Sequence, residues 1–331
     1  MKKTLAALTF TALALSAMAI PGSMNRYSAS AESKLNSSQT SMASAASFAA
    51  QNLSTGIVMP SVPIYALNTT NTIFILRPGE TNFSKLARIT SVNGNLIGID
   101  FRPADGRLYA VNNTGIIYTI ALGSTNLGAA TKVSDLSPRF QGGYQSLTDF
   151  NPVANALRLI GSNNSNYAVV NSNGGNLNAT VVQTNLTYPA GDVNAGKNPN
   201  ITAGSYTNNR AGATVTLFYG IDYALDAFVT IPPAAPGGSS NTGGGQLQTI
   251  GPLVTPAGAR VNFSPLAGID IVTNTNGANT AYGTSGETLF TIDLAQVNNS
   301  LPRGQTQNVV VRGITLPSSA GAFVDIAIKA F

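Results

Sequence analysis

Four aspartates recur in one local setting. Asp100, Asp149, Asp270 and Asp325 sit inside short apolar runs: Ile97-Gly98-Ile99-Asp100-Phe101, Leu147-Thr148-Asp149-Phe150, Ala267-Gly268-Ile269-Asp270-Ile271 and Phe323-Val324-Asp325-Ile326. A carboxylate in apolar surroundings must find hydrogen-bond donors, a cation or a proton. If the runs are equivalent strands of a repeat, the four side chains gather in one place. They then form either a site for a hard cation such as Ca²⁺ or a set of structural acceptors. In the structural case each carboxylate takes backbone N–H groups of a neighbouring repeat, or pairs with an arginine such as Arg158. A second calcium-like string is Asp192-Val193-Asn194-Ala195-Gly196, with Asp192 and Asn194 as its ligand-type residues. It lacks the further ligand and the distal Glu of a calcium loop, and an Asp/Asn/Gly turn reads the same way.

Much other chemistry is excluded. The chain has no His and no Cys, which removes Ser-His-Asp hydrolysis, His-bound zinc, thiolate metal sites and cysteine nucleophiles. Carboxylate chemistry survives, and paired carboxylates are enough for glycoside hydrolysis. Beyond the N-terminal region the only glutamates are Glu80 and Glu287, each in an expected turn and with no spacing that pairs an acid with a nucleophile. The run Pro236–Gly245 is followed by neither Lys nor a helix, so it reads as a disordered loop rather than a phosphate cradle.

Charged residues are 9% of the chain, against about 25% in an ordinary soluble domain. Asn, Thr, Ser and Gly supply a neutral, hydrogen-bonding surface instead. The net charge of +5 is scattered singly, which argues against a nucleic-acid partner.

The elements that must position these residues are short and alternating. Ile97–Phe101, Arg107–Val111 and Ile116–Ala121 follow one another across Asp-Gly and Thr-Gly linkers, which is hairpin chemistry. The unit then recurs. Each aspartate run is a first strand, and Ala203-Gly204-Ser205-Tyr206 fills the same slot without an Asp. Second strands are Ile64–Leu67, Leu108–Val111, Leu157–Ile160, Leu217–Gly220 and Ala281–Gly283, with Tyr65, Tyr109, Tyr219 and Tyr282 repeating among them. Tyrosines at one strand position pack between repeats, with their hydroxyls at the edge. First strands lie roughly 50 to 65 residues apart, a spacing suited to propeller blades. The first recognisable strand is of the second type and the last, Phe323–Ile328, of the first type, so the ends complete one another. The expectation is an all-β propeller of five blades, about four antiparallel strands each, closed by pairing the C-terminal strand with the N-terminal strands.

Several of these strings resemble a bacterial secreted family catalogued as domain of unknown function 4394. They are Gly98-Ile99-Asp100-Phe101-Arg102-Pro103, Asp149-Phe150-Asn151-Pro152, Tyr188–Gly196, and Tyr206-Thr207-Asn208-Asn209 followed by Leu217–Asp222. The similarity runs over roughly residues 60 to 328. It implies an exported β-rich protein and brings no catalytic residue with it.

The N-terminus matches export. Lys2 and Lys3 precede an apolar run from Leu5, and Ala17-Met18-Ala19 is a cleavage site. A signal peptide over residues 1–19 is expected, with Ala29-Ser30-Ala31 a later alternative site. Residues 20–56 read as a flexible Ser/Ala/Asn-rich leader and 57–331 as one propeller domain, with no transmembrane segment in the mature chain. The functional expectation is an exported, non-enzymatic binding or structural module of the cell envelope or extracellular space, facing a polysaccharide or a matrix protein. No cofactor beyond Ca²⁺ is implied. The alternative is a carboxylate-dependent glycoside hydrolase or lyase acting on extracellular carbohydrate.

Overall fold

The computed structural model describes residues 56–172, 177–316 and 321–329. The expected signal peptide and all but the last residue of the expected leader lie outside them. Among the described residues no helix is long and apolar enough to cross a membrane.

Five antiparallel sheets make a five-bladed β-propeller. The first blade orders its strands β21-β1-β2-β3 (Phe323–Ile328, Ile64–Asn68, Thr72–Leu76, Ser84–Arg88). The second is β4 to β7 (Leu96–Phe101, Leu108–Asn112, Ile116–Ile120, Ala130–Asp135). The third is β8 to β11 (Ser146–Asn151, Ala156–Gly161, Asn166–Val170, Ala179–Val182). The fourth runs β12 to β15 (Ile201–Tyr206, Phe218–Asp222, Ala227–Ile231, Gln248–Val254), and β19 (Val309–Val310) adds to its outer edge in parallel. The fifth is β16-β17-β18-β20 (Ala267–Thr273, Asn279–Ser285, Thr288–Asp293, Arg312–Thr315).

The strand order follows burial. The inner strands β4, β8, β12 and β21 are buried at every residue, and they read as apolar runs because both faces meet neighbouring blades. The outer strands β3, β7 and β11 are largely open to solvent. Lys85, Arg88 and Lys132 on β3 and β7 keep those edges from pairing with other chains. The ring closes as its two ends require: Ile64 pairs with Ile328, Tyr65 with Ala327 and Ala66 with Ile326. A first blade without β21 would leave the buried edge of β1 unpaired.

The recurrent tyrosines pack as aromatic spacers. Tyr65 meets Phe101 of the second blade edge-on at 5.3 Å, and Tyr109 meets Phe150 of the third at 5.2 Å. The Pro236–Gly245 run departs from the disordered loop expected of it. Thr242–Gly244 form a 3₁₀ turn with Thr242 buried, because the Thr242 hydroxyl accepts from Nη2 of the buried Arg158 at 2.7 Å.

The axis itself is too narrow for side chains at some positions. A Cβ added to Gly268 would stand 2.6 Å from Asp325 Cα and 2.7 Å from Ile326 N, and backbone cannot yield as a flexible side chain does. Gly268→Ala is therefore expected to destabilise the fold by about 1–3 kcal/mol. Gly143→Ala, where nothing lies within 4 Å, should stay within about 0.5 kcal/mol of the wild type. Urea unfolding of both variants checks this; equal stability would contradict the close approach of β16 and β21.

Candidate functional site

The inner edge of each blade faces the axis with backbone amides that no further strand can take. Side chains take them instead, and they do so in sequence around the ring. Asp100 on β4 accepts the Phe150 N–H of β8 at 2.6 Å, and Asp149 on β8 accepts the Tyr206 N–H of β12 at 3.0 Å. Ser205 on β12 accepts the Ile271 N–H of β16 at 3.2 Å. Asp270 on β16 accepts the Ile328 N–H of β21 at 2.6 Å, and Asp325 on β21 accepts the Ile99 N–H of β4 at 3.0 Å. Five side chains thus fasten five blades in a closed circle. Ser205 fills the slot that lacks an aspartate, and its hydroxyl donates to Asp270 Oδ1 at 3.2 Å.

Three carboxylates also hold the next amide of their own strand: Asp100 that of Phe101 (2.6 Å), Asp270 that of Ile271 (2.6 Å) and Asp325 that of Ile326 (2.9 Å). One oxygen each of Asp100, Asp149 and Asp270 lies within 4.8 Å of the other two. All four aspartates are between 1% and 4% exposed, and none joins the ion pairs found among the described residues.

Burial without a counter-charge raises the carboxyls. Asp100, Asp149 and Asp325 are pushed well above the usual carboxylate range, first by desolvation. The charges of Asp270 and Asp325 add to this at Asp100, those of Asp100 and Asp270 at Asp149, and that of Asp270 at Asp325. Asp270 is raised by the same desolvation to about 7, with the Ile328 and Ile271 amides, the Ser205 hydroxyl and the Asn209 side chain pulling it back. The backbone donors soften the cost in each case and do not cancel it.

Arg158 is opposite Asp149 in the β8–β9 register, yet its guanidinium does not serve it. It donates to the Tyr206 hydroxyl (3.1 Å), Asn166 Oδ1 (2.8 Å), Thr242 Oγ1 (2.7 Å) and Gln183 Oε1, tying the third blade to the fourth. The arginine pairing weighed from sequence thus gives way to a wholly neutral set of partners.

Asp192 and Asn194 lie away from the axis. Asp192 accepts the Thr249 N–H (2.8 Å), the Thr249 hydroxyl (2.7 Å) and the Asn194 N–H (2.9 Å), while Asn194 Oδ1 accepts the Lys197 ammonium at 3.0 Å. The loop is tied to β15, and at Asn194 an ammonium stands where a cation would. Glu80 bonds Arg77 within the β2–β3 turn and Glu287 lies in the β17–β18 turn, so the two glutamates belong to different blades.

A separate groove of about 690 Å³ lies between residues 56–62, strands β16 to β18 of the fifth blade and β19 of the fourth. Thr273, Asn274, Thr280, Thr291, Gln296 and Asn308 give it uncharged hydrogen-bonding groups, set among apolar side chains and beside the cation Arg312. Its carboxylate, Asp293, is engaged by the Ala295 amide and by Gln296. Tyr282 forms part of the floor, with its hydroxyl held by the Val58 carbonyl at 3.0 Å. No local sequence signal marked this groove, because its wall is assembled from turns and strand ends far apart in the chain.

Residues 63–315 match the family model described as Domain of unknown function (DUF4394), and the chain belongs to that family. No curated protein matches the chain. Similar solved structures include the β-propeller domain of Cps50 (Swd1) from Myceliophteria thermophila, at 11% identity and a TM-score of 0.38, covering 78% of this chain and 73% of that one. Another is a structural genomics protein of unknown function from Bacteroides thetaiotaomicron, at 12% identity and a TM-score of 0.45, covering 83% of this chain and 63% of that one.

The raised carboxyls fix a sign for pH dependence. Between the ordinary aspartate value and their folded values, the folded state holds protons that the unfolded chain has released, so raising the pH favours unfolding. Stability from this source is complete below about pH 4 and is lost as the pH climbs through about 7, the value for Asp270. Chelator-treated protein should therefore melt at progressively lower temperature from pH 5 to pH 8 by differential scanning calorimetry, and a flat or rising profile would contradict the buried acidic axis.

Proposed function

We propose that this protein is an exported, non-catalytic propeller module that holds a neutral polysaccharide in the groove of its fifth blade. One observation carries the reading: hydroxyl and amide side chains of the groove alternate with apolar ones such as Val58, Met59 and Val272, and its one carboxylate is already engaged by protein donors. Uncharged donors and acceptors beside apolar surface suit a neutral sugar chain, to which Arg312 offers a further donor, and the volume lies within the range of ligand sites. Export rests on the basic and apolar N-terminal segment with its Ala-x-Ala strings.

A non-catalytic role agrees with how the acids are used. Glycoside hydrolysis needs two carboxyl groups flanking an accessible bond. Here the axial aspartates are buried and bonded to backbone amides, and the two glutamates belong to turns of different blades. The remaining candidate for turnover is an aspartate pair at the axis.

A glycan array together with a panel of chromogenic glycosides tests the proposal. The expected result is retention of a neutral glycan without turnover, weakened roughly tenfold by joint replacement of Gln296 and Asn308 with alanine; this corresponds to losing about 1.4 kcal/mol of polar contact. Turnover that disappears in both Asp100→Asn and Asp149→Asn, in protein that still folds, would overturn it in favour of the hydrolase. Binding unchanged by the double replacement would remove the groove from the account.

A further inference from the structure

Among the described residues several buried side-chain oxygens have no partner, and those of Asn209 and Thr148 stand beside axial aspartates. Asn209 is 3% exposed and its side chain stands beside Asp270, yet its Oδ1 accepts nothing. Thr148, 4% exposed, leaves its Oγ1 unpartnered against the same face of Gly98 as Asp325 Oδ2. Buried oxygens without donors, beside carboxylates without a counter-charge, mark a place short of positive charge. The Asn209 carboxamide already touches the acidic cluster. A half-turn about its last torsion exchanges its two ends and brings Oδ1 to face the carboxylates.

We infer that the propeller axis binds one calcium-class divalent cation through Asp100, Asp149 and Asp270, with the Asn209 carboxamide oxygen as a fourth ligand. The donor set is all oxygen, as a hard cation prefers. A donor set fixed by strand geometry rather than by an octahedron fits the larger member of that class. The three carboxylate oxygens lie within 4.8 Å of one another; Ca²⁺ accepts irregular coordination at 2.3–2.6 Å, whereas Mg²⁺ demands near-ideal octahedral geometry at 2.0–2.1 Å. Their backbone hydrogen bonds do not exclude an ion, because each carboxylate oxygen offers two lone pairs. The ion would replace protons as the neutralising charge and would brace four blades at once: β4, β8 and β16 through the aspartates and β12 through the segment leading to Asn209.

The inference stands apart from the polysaccharide reading, and its test uses no sugar. Full-length protein stripped with chelator and dialysed to equilibrium at pH 8 against millimolar Ca²⁺ is expected to retain one ion per chain. Its Tm should rise by roughly 5–10 °C once Ca²⁺ reaches about a hundred times Kd. Asp149→Asn keeps an oxygen for the Tyr206 N–H but loses a charge. It should bind Ca²⁺ roughly tenfold or more weakly, with a chelated Tm no lower than that of the wild type. Asn209→Ala, which leaves all four aspartates in place, should also bind more weakly and carries the test if the first variant does not fold. Failure to retain Ca²⁺ at millimolar concentration, or wild-type binding by both variants, overturns the site. Mg²⁺ giving a shift as large as Ca²⁺ overturns the assignment of the ion.

Discussion

Every sheet has two edges, and a propeller turns one edge of each blade toward its own axis. The backbone N–H groups there are beyond the reach of another strand and largely beyond the reach of water. In this chain Asp100, Asp149, Ser205, Asp270 and Asp325 satisfy them, each reaching from its own inner strand to the next. The blades are joined by these side chains as well as by the apolar packing between them. Much of the remaining design follows from that choice. Glycines stand where neighbouring inner strands approach closely, and the terminal strand must return to the first blade, since without Asp325 and the Ile328 amide the circle is open at two places.

The same choice has an electrostatic cost. Carboxylates are strong acceptors, but gathering four of them out of water is unfavourable unless protons or a cation accompany them. The buried cation of the third blade, Arg158, does not help, because it is committed to hydroxyl and amide oxygens near Thr242. The molecule therefore keeps a buried arginine with neutral partners and a buried acidic ring with no arginine. The sparsely charged exterior has little field of its own to offset either, so the neutralising species has to be local.

How much of this was legible in the sequence depends on burial. First, second and third strands announce themselves because their apolar residues are bounded by Gly, Asn and Asp turns, and the aspartates stand out against such runs. The fourth strands do not: Ser84–Arg88 and Ala130–Asp135 lie open to solvent and carry lysines, so no apolar alternation marks them. β19 is two residues long and pairs in parallel with a strand far back in the chain, a contact that local pattern does not encode. The glycine-rich run misled for a related reason. Its order comes from Thr242 meeting a guanidinium that begins 84 residues earlier. Asn209 was visible only as part of a Tyr-Thr-Asn-Asn string; its meeting with Asp270 depends on how the chain leaves β12.

The circle of side-chain acceptors is most directly tested through its donors. Amide hydrogen exchange followed by NMR at Ile99, Phe150, Tyr206, Ile271 and Ile328 reports each link separately. If the ring is closed, all five amides exchange only through global unfolding, with a common free energy, including Ile328 three residues before Phe331. Early exchange at Ile328 and Ile99, with the other three still protected, would show blades that stack without being fastened into a ring.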